Sequence, residues 1–426
     1  MARFKNKVTP VGWGVIAVFL FTGMIGLDTD SSVAFQAFAL LFAVLFLSLL
    51  SSFGFRGAFA IRRQVPRFGT VGEPLRYQVR LTNQSKGFRS GLVFHEAYGD
   101  PVEVLEAILK PLKPSRRRGS FRLLDSKPVI PVARFRPIEV PAVGAGDTVD
   151  FESELLPCKR GVLDLRSARV ARSDPLGLFR GFRPAEGTQT ILVLPKRYRV
   201  PDLELPGREQ YQLGGVTQAS SVGRSEEFIS LRDYRRGDPV RHIHWRSWAK
   251  TGDPIVKEFE DEFFVRHGLI LDTFSDQSTE EDVFEEAVSL AASFACSIGT
   301  QESLLDLMFV GDQAYVFTAG RGVGRADQLL EVLAGARPST QASFEALTAL
   351  VVTHAHELSG CVLILIRWDA MRQQLVTQLR QMGLPIYVFL VQEPGARALD
   401  VSDSGLDLSR FRVLEAGNLE QGLMRA

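Results

Sequence analysis

The stretch His267–Thr273, HGLILDT, decides how the C-terminal part of this 426-residue chain is read. An apolar run closed by Asp272 has the length and continuity of a strand buried on both faces. Directly after it, Glu280–Gly299 (EEDVFEEAVSLAASFACSIG) spaces its apolar residues as an amphipathic helix does. The alternation then repeats. Strand-like SLLDLMFVG (303–311) and QAYVFTAG (313–320) lead to helical RADQLLEVLAGA (325–336) and SFEALTALVVTHAHEL (343–358). CVLILIR (361–367), MRQQLVTQLRQMG (371–383) and LPIYVFLVQ (384–392) continue it as strand, helix and strand. Apolar strands alternating with helices predict a doubly wound α/β domain over 263–426, with a mostly parallel sheet covered on both faces.

Upstream, over 61–200, the period changes to that of strands. Glu73–Asn83 (EPLRYQVRLTN) alternates apolar and polar positions and ends at an Asn-Gln-Ser turn. Further strand-like runs at 91–99, 135–157, 161–172 and 188–200 are broken by Gly, Pro, Asn and Asp. Short strands at such intervals predict a β-sandwich-like domain. The basic segment Leu112–Arg122 (LKPSRRRGSFR) reads as a solvated loop, with anionic lipid as the alternative contact. Residues 201–262 bridge the two domains.

Residues 1–60 have another composition. Val8–Leu27 holds twenty residues without a charge, about 30 Å of helix and enough to cross a hydrocarbon core. A second uncharged run, Ser31–Phe55, follows after only Asp28-Thr29-Asp30. The two predict a transmembrane helical hairpin rather than a cleaved leader followed by one anchor. Arg3, Lys5 and Lys7 precede the pair, and Arg56, Arg62, Arg63 and Arg67 follow it, whereas the turn carries only aspartates. Both ends and the body are therefore expected on the cytoplasmic side of an inner (plasma) membrane. Three scattered cysteines, Cys158, Cys296 and Cys361, suit a reducing compartment and form no zinc or disulfide pattern. The formal net charge of +1 argues against a global nucleic-acid binder and leaves local patches open.

Leu231–Lys250 (LRDYRRGDPVRHIHWRSWAK) is such a patch. Arg235-Arg236-Gly237-Asp238-Pro239 signals a turn between two runs of strand-like alternation. Arg241 and Arg246 are expected to reach carboxylates, since Asp233, Asp238, Glu226, Glu227, Glu258, Glu260, Asp261 and Glu262 lie close in sequence. His242 and His244 form one H-x-H pair, and His354 and His356 another. Both are read as structural, with metal ligation as the alternative. The glycine cluster Ala319–Ala326 (AGRGVGRA) lacks the Gly-Lys-Ser/Thr ending of a phosphate loop and reads as a turn before a helix.

The acidic residues beyond the strands resemble the cation site of the von Willebrand factor type A domain, which holds a divalent ion with a D-x-S-x-S loop and a later aspartate. Asp272 matches the leading aspartate, Phe274 stands where the first serine is expected, and Asp276 where the second is. Asp369 matches the later aspartate within Arg-Trp-Asp. Phenylalanine supplies no oxygen to a hard cation. The resemblance therefore implies a degenerate site at Asp272, Asp276 and Asp369, with Mg²⁺ as the ion it would hold.

A second resemblance runs through the basic patch. Glu227-Phe228, Arg232, Tyr234, Gly237-Asp238, Arg241, Ile243, Trp245, Ala249-Lys250 and Glu258 look like the signature of the bacterial domain-of-unknown-function-58 family. KRGVLDL, SDPLGLFR and VLPKRY upstream resemble its lead-in. The paired N-terminal spans and the von Willebrand-like C-terminal part match the usual family layout. The resemblance implies a membrane-tethered protein acting with an AAA-type ATPase of the MoxR class, often beside a transglutaminase-like membrane protein, with no enzymatic activity established.

Three functions are carried forward. The first is a non-enzymatic adaptor or scaffold whose signature residues Glu227, Arg232, Tyr234, Gly237, Asp238, Arg241, His244, Trp245 and Lys250 are structural or bind a partner. The second is a metal-dependent hydrolase using His242, His244 and Asp238, or Asp272 and Asp369. The third binds anionic lipid or nucleic acid through Arg232, Arg235, Arg236, Arg241 and Arg246, with Trp248 for stacking.

Overall fold

The computed structural model describes residues 7–25, 32–97, 131–200, 228–238, 240–259, 265–275, 281–298, 303–320, 326–339, 343–396 and 410–424. The basic loop 112–122, Glu227, Asp276, the 260–262 carboxylates and Arg321–Arg325 of the glycine cluster lie outside them. The chain forms two compact units, Met1–Leu194 and Pro195–Ala426. The division falls once, where the sequence suggested breaks near 60, 200 and 262. The apolar helices belong with the β-rich part, and the signature segment with the α/β part.

In the first unit, helix α1 (Pro10–Ile25) starts where Thr9 caps it. The Thr9 hydroxyl oxygen accepts from the Gly12 amide at 3.0 Å, and Pro10 occupies the first helical position, where a missing N–H costs nothing. That cap begins the helix two residues inside the uncharged run, and its sixteen residues span about 24 Å. Helix α2 (Ser32–Phe53) has 22 residues, about 33 Å. Among the described residues, one helical stretch, Phe35–Phe53, is long and apolar enough to cross a membrane, and Pro10–Met24 is a shorter apolar helix. The helices pack through Phe19, stacked on Phe38 at 4.7 Å.

Strands β1 (Phe59–Gln64), β2 (Phe68–Thr70), β3 (Leu75–Asn83), β4 (Leu92–Ala97), β5 (Ala133–Phe135), β6 (Ile138–Val140), β7 (Thr148–Pro157), β8 (Gly161–Ser173) and β9 (Arg180–Leu194) form one mixed sheet. Its order is β5-β7-β3-β1-β9-β8-β4-β6, with β2 also pairing β9. Its pairs are antiparallel except β1 and β2 with β9. The sheet rolls over on itself. Phe94 on β4 meets Phe135 on β5 and Phe151 on β7 edge-on, at 5.7 and 5.3 Å, although these strands lie toward opposite ends of the order. One apolar core fills the roll, as alternating strands with one buried face require.

A buried charge pair crosses that core. Arg63 of β1 donates to Glu96 of β4 at 2.5 Å, and the Tyr77 hydroxyl donates to the same carboxylate at 2.9 Å. Burial pushes the Glu96 carboxyl above its ordinary value, opposed by the Arg63 charge.

The turn between β8 and β9, Asp174–Phe179 within SDPLGLFR, clasps both helices. Its Leu178 carbonyl accepts from the Thr9 amide at 2.9 Å, and its Asp174 carboxylate accepts from the Ser48 hydroxyl at 2.5 Å. Val8, Leu178 and Phe179 make a small apolar cluster with Val15, Ile16, Val44 and Leu45. The start of α1 and the last two turns of α2 are thus held by one loop.

In the second unit, the Tyr198 hydroxyl of VLPKRY donates to Glu286 at 2.5 Å. Strands β10 (Phe228–Asp233) and β11 (Ile255–Phe259) pair as an antiparallel ribbon enclosing helix α3 (Trp245–Thr251). Strands β12 (Val265–Leu271), β13 (Ser303–Val310), β14 (Ala314–Ala319), β15 (Gly360–Leu365), β16 (Ile386–Gln392) and β17 (Phe411–Glu415) form a sheet in the order β14-β13-β12-β15-β16-β17. It is parallel except for β14. The order reverses between β12 and β15. Helices α4 (Glu281–Ser297), α5 (Ala326–Gly335), α6 (Phe344–His354), α7 (Ala370–Gln381) and α8 (Leu419–Met424) complete the unit. Phe389 packs on Phe294 of α4, whereas Val388 and Leu390 share a core with Leu347 of α6 and Leu375 of α7. Successive strand residues face opposite ways, so the sheet is covered on both sides, as expected. Strand β17 and helix α8, too short to show a period, were not anticipated.

Candidate functional site

The signature residues build the ribbon. Arg232 on β10 donates to Asp238 through Nη1 at 2.7 Å and Nη2 at 2.9 Å, and the Arg235 amide adds a third bond at 2.7 Å. Gly237, at φ 115°, permits the turn. The Arg232 hydrogen bonds first, then the Arg235 amide, hold the Asp238 carboxyl at about 2. The Tyr234 amide donates to the Pro254 carbonyl at 2.9 Å and closes the ribbon's base.

Val240–Trp245 is not a strand. Val240–His242 forms a 3₁₀ turn, Ile243 is buried against Val256, and helix α3 begins at Trp245. The i, i+3 spacing of Trp245 and Trp248, which stack at 5.2 Å, was the helical signal hidden in the alternation. His242 and His244 therefore do not share an extended face. The His244 Nδ1 lies 2.6 Å from the Ser247 hydroxyl. His354 ends helix α6 and His356 sits in the following 3₁₀ turn, as their helix-end setting suggested.

Among the described residues, the expected internal neutralisation is met for Arg232, while Glu226, Glu227, Glu260, Asp261 and Glu262 lie outside them. Among the described residues, Arg236, Arg241 and Arg246 form no ion pair. They are exposed with Arg235 and Lys250, beside Val240 and Trp245, which are 63% and 59% exposed. The ribbon thus exposes several basic side chains together with Val240 and Trp245, and with the carboxylates of Asp233 and Asp253.

A second group sits where the sheet order reverses, outside the carboxyl ends of β12 and β15, the usual ligand position of such sheets. Asp272 is fully buried and accepts backbone bonds from Phe274 at 3.1 Å and Ile366 at 3.3 Å. Arg372, which sequence reasoning did not single out, donates to it through Nε at 2.6 Å and Nη2 at 3.1 Å. The same guanidinium donates from Nη1 to Asp369, the N-cap of α7. Burial pushes the Asp272 carboxyl up, and Arg372 opposes the shift. Phe274, in the serine position, packs edge-on against Phe344 at 5.6 Å. These residues do not fit a hard cation, because both carboxylates are already engaged by a guanidinium. Among the described residues, no three His, Cys, Asp or Glu side chains gather as metal ligands.

Residues 230–391 match the family described as "Protein of unknown function DUF58". Over that stretch the chain is similar to the DUF58 family. The matched region runs from the β10 ribbon through β16, so it takes in the α/β sheet except β17 and leaves out the SDPLGLFR lead-in, which the sequence resemblance had included. The "Uncharacterized protein YeaD" of Bacillus subtilis (strain 168) is 28% identical over 189 residues, 44% of this chain and 45% of that protein. The match thus spans less than half of the relative's length. Among solved structures, the CARDB domain of PF1109 from Pyrococcus furiosus matches 32% of this chain and 94% of its own length, at 10% identity and TM-score 0.18. Red sea bream transglutaminase matches 32% of this chain and 15% of its own, at 20% identity and TM-score 0.19. Superpositions this loose assign no fold.

Proposed function

We propose that this protein is a membrane-anchored, cytoplasm-facing adaptor without catalytic activity, which docks an acidic protein surface on its arginine–tryptophan ribbon. The observation that carries the reading is the exposed set Arg236, Arg241, Arg246 and Trp245 on one short segment, its arginines without an ion pair among the described residues. Arginine and tryptophan at the centre of a surface are the residues that most often dominate a protein interface, and the charge selects acidic partners. Of the candidate hydrolytic groups His242, His244 and Asp238, the Asp238 carboxylate is held by Arg232, and the histidines do not share an extended face.

The partner class comes from the family resemblance: an AAA-type ATPase of the MoxR class, in protein assembly or remodelling. In this reading both apolar helices enter the bilayer as a hairpin. Supporting this, the start of α1 and the end of α2 meet the same Asp174–Phe179 loop. The C-terminal domain is read as von Willebrand factor type A-like, on the strand order β14-β13-β12-β15-β16-β17 with β14 antiparallel.

The test is affinity purification from detergent extract of cells, with mass spectrometry. Wild type is expected to bring down an AAA ATPase in a salt-sensitive manner, and Arg241→Glu with Arg246→Glu to lose it while melting normally. Extracts that consistently lack such an ATPase would refute the partner. Binding of the purified chain's ribbon to anionic vesicles, lost in the same variant, would assign the surface to lipid instead. For the orientation, exposed Cys296 is expected to react with an impermeant maleimide only after spheroplasts are lysed.

A further inference from the structure

The switch point of the α/β sheet holds a positive charge already, supplied by a side chain. We propose that the Arg372 guanidinium is a built-in replacement for the divalent cation expected at this strand edge, so that the edge works without metal. The proposal rests on the von Willebrand-like reading for the expectation of a cation, and not on the identity of any partner.

Arg372 makes the contacts an ion would make. It reaches both oxygens of Asp272, one oxygen of Asp369 and the Phe274 carbonyl at 3.3 Å. It is 3% exposed, and its guanidinium lies 4.5 Å over the Phe344 ring, a further attraction for a cation. Helix α7 sets the position. Asp369 caps the helix, accepting from the Arg372 amide at 3.0 Å, so Arg372 starts in the first turn and points back at the strand ends.

A divalent ion would meet two obstacles. It would have to displace a pinned, permanently charged group, or sit beside it against strong repulsion in a buried setting. It would also lack the side-chain hydroxyl that a serine at position 274 would supply. An arginine differs from an ion in one functional respect: it does not dissociate. The edge is therefore closed whatever the metal concentration, and docking by the domain should be insensitive to chelators.

The test is Mn²⁺ titration of the full chain in detergent, read by electron paramagnetic resonance of bound ion and by thermal melting. Wild type is expected to hold no stoichiometric Mn²⁺ and to melt unchanged with it. Arg372→Ser, which empties the position, is expected to melt lower and to regain part of the loss with Mn²⁺. Stoichiometric Mn²⁺ on wild type, removed by Asp272→Asn, would overturn the proposal. A folded Arg372→Ser that Mn²⁺ leaves unmoved would also overturn it, reducing Arg372 to an ordinary ion pair. Should that variant not accumulate, Arg372→Lys is expected to melt lower and remain indifferent to Mn²⁺, and wild-type melting would count against the assignment. None of these outcomes depends on recovering the ATPase, so the two readings fail separately.

Discussion

Arg372 holds Asp272 across one hundred residues of sequence, through hydrogen bonds of 2.6 and 3.1 Å, with both side chains buried. Asp369, the third member, is 44% exposed at its side chain. Asp272→Ala leaves the buried guanidinium only the half-exposed Asp369 as a counter-charge and is expected to cost about 3–5 kcal/mol. Asp369→Ala leaves Arg372 paired with Asp272 and removes a helix cap, about 1 kcal/mol. Urea unfolding of the two variants checks the ranking, and equal losses would contradict it.

Arg63 and Glu96 pose the same problem inside the rolled sheet, where their side chains are 1% and 0% exposed. Removing Glu96 leaves the buried Arg63 guanidinium with the Gly187 carbonyl and, among the described residues, no counter-charge. Glu96→Leu alone is expected to lose about 3–5 kcal/mol, and adding Arg63→Met to recover part of it. The double variant melting below the single one would show that Arg63 finds other support.

Acid should loosen the ribbon turn. Asp238 sits at about 2 against an ordinary 3.8. A depressed carboxyl stabilises the folded form fully above its unfolded value and loses that contribution as pH falls from there through about 2. Carboxyl carbon chemical shifts should place the Asp238 titration well below the ordinary 3.8. Arg232→Gln should move it back up, and no movement would remove Arg232 as the main cause.

Gly12 packs against the clasp loop so closely that an added Cβ would lie 2.3 Å from the Leu178 carbonyl oxygen. Gly12→Val should therefore pull α1 off the Asp174–Phe179 loop, and Ser48→Ala should weaken the hold on α2 more mildly. Faster amide exchange at Thr9, Phe179 and Arg180 is the expected readout, since their amides donate within the clasp. Unchanged exchange in Gly12→Val would show that the loop gives way.

Much of the fold was legible because its signals are local. The uncharged runs, the alternation of Leu75–Asn83 and the strand–helix repeat after His267 each declare themselves within one element. Short elements escaped: β1, β2, β5 and β17 hold too few residues to show a period or sit among other signals. The Val240–Trp245 alternation misled because six residues fit two periods, and the return of β11 to β10 requires a turn there.

By itself the sequence determined which stretches bury their faces, where the apolar helices lie and which aspartates follow the strands, since periodicity and charge act along the chain. Only the tertiary structure decided the fate of the charges. It placed Arg372 between Asp272 and Asp369, paired Arg63 with Glu96, and left Arg241 and Arg246 unpaired among the described residues. A charge pairs with whatever folding brings within a few ångströms, and nearness in sequence does not set that distance.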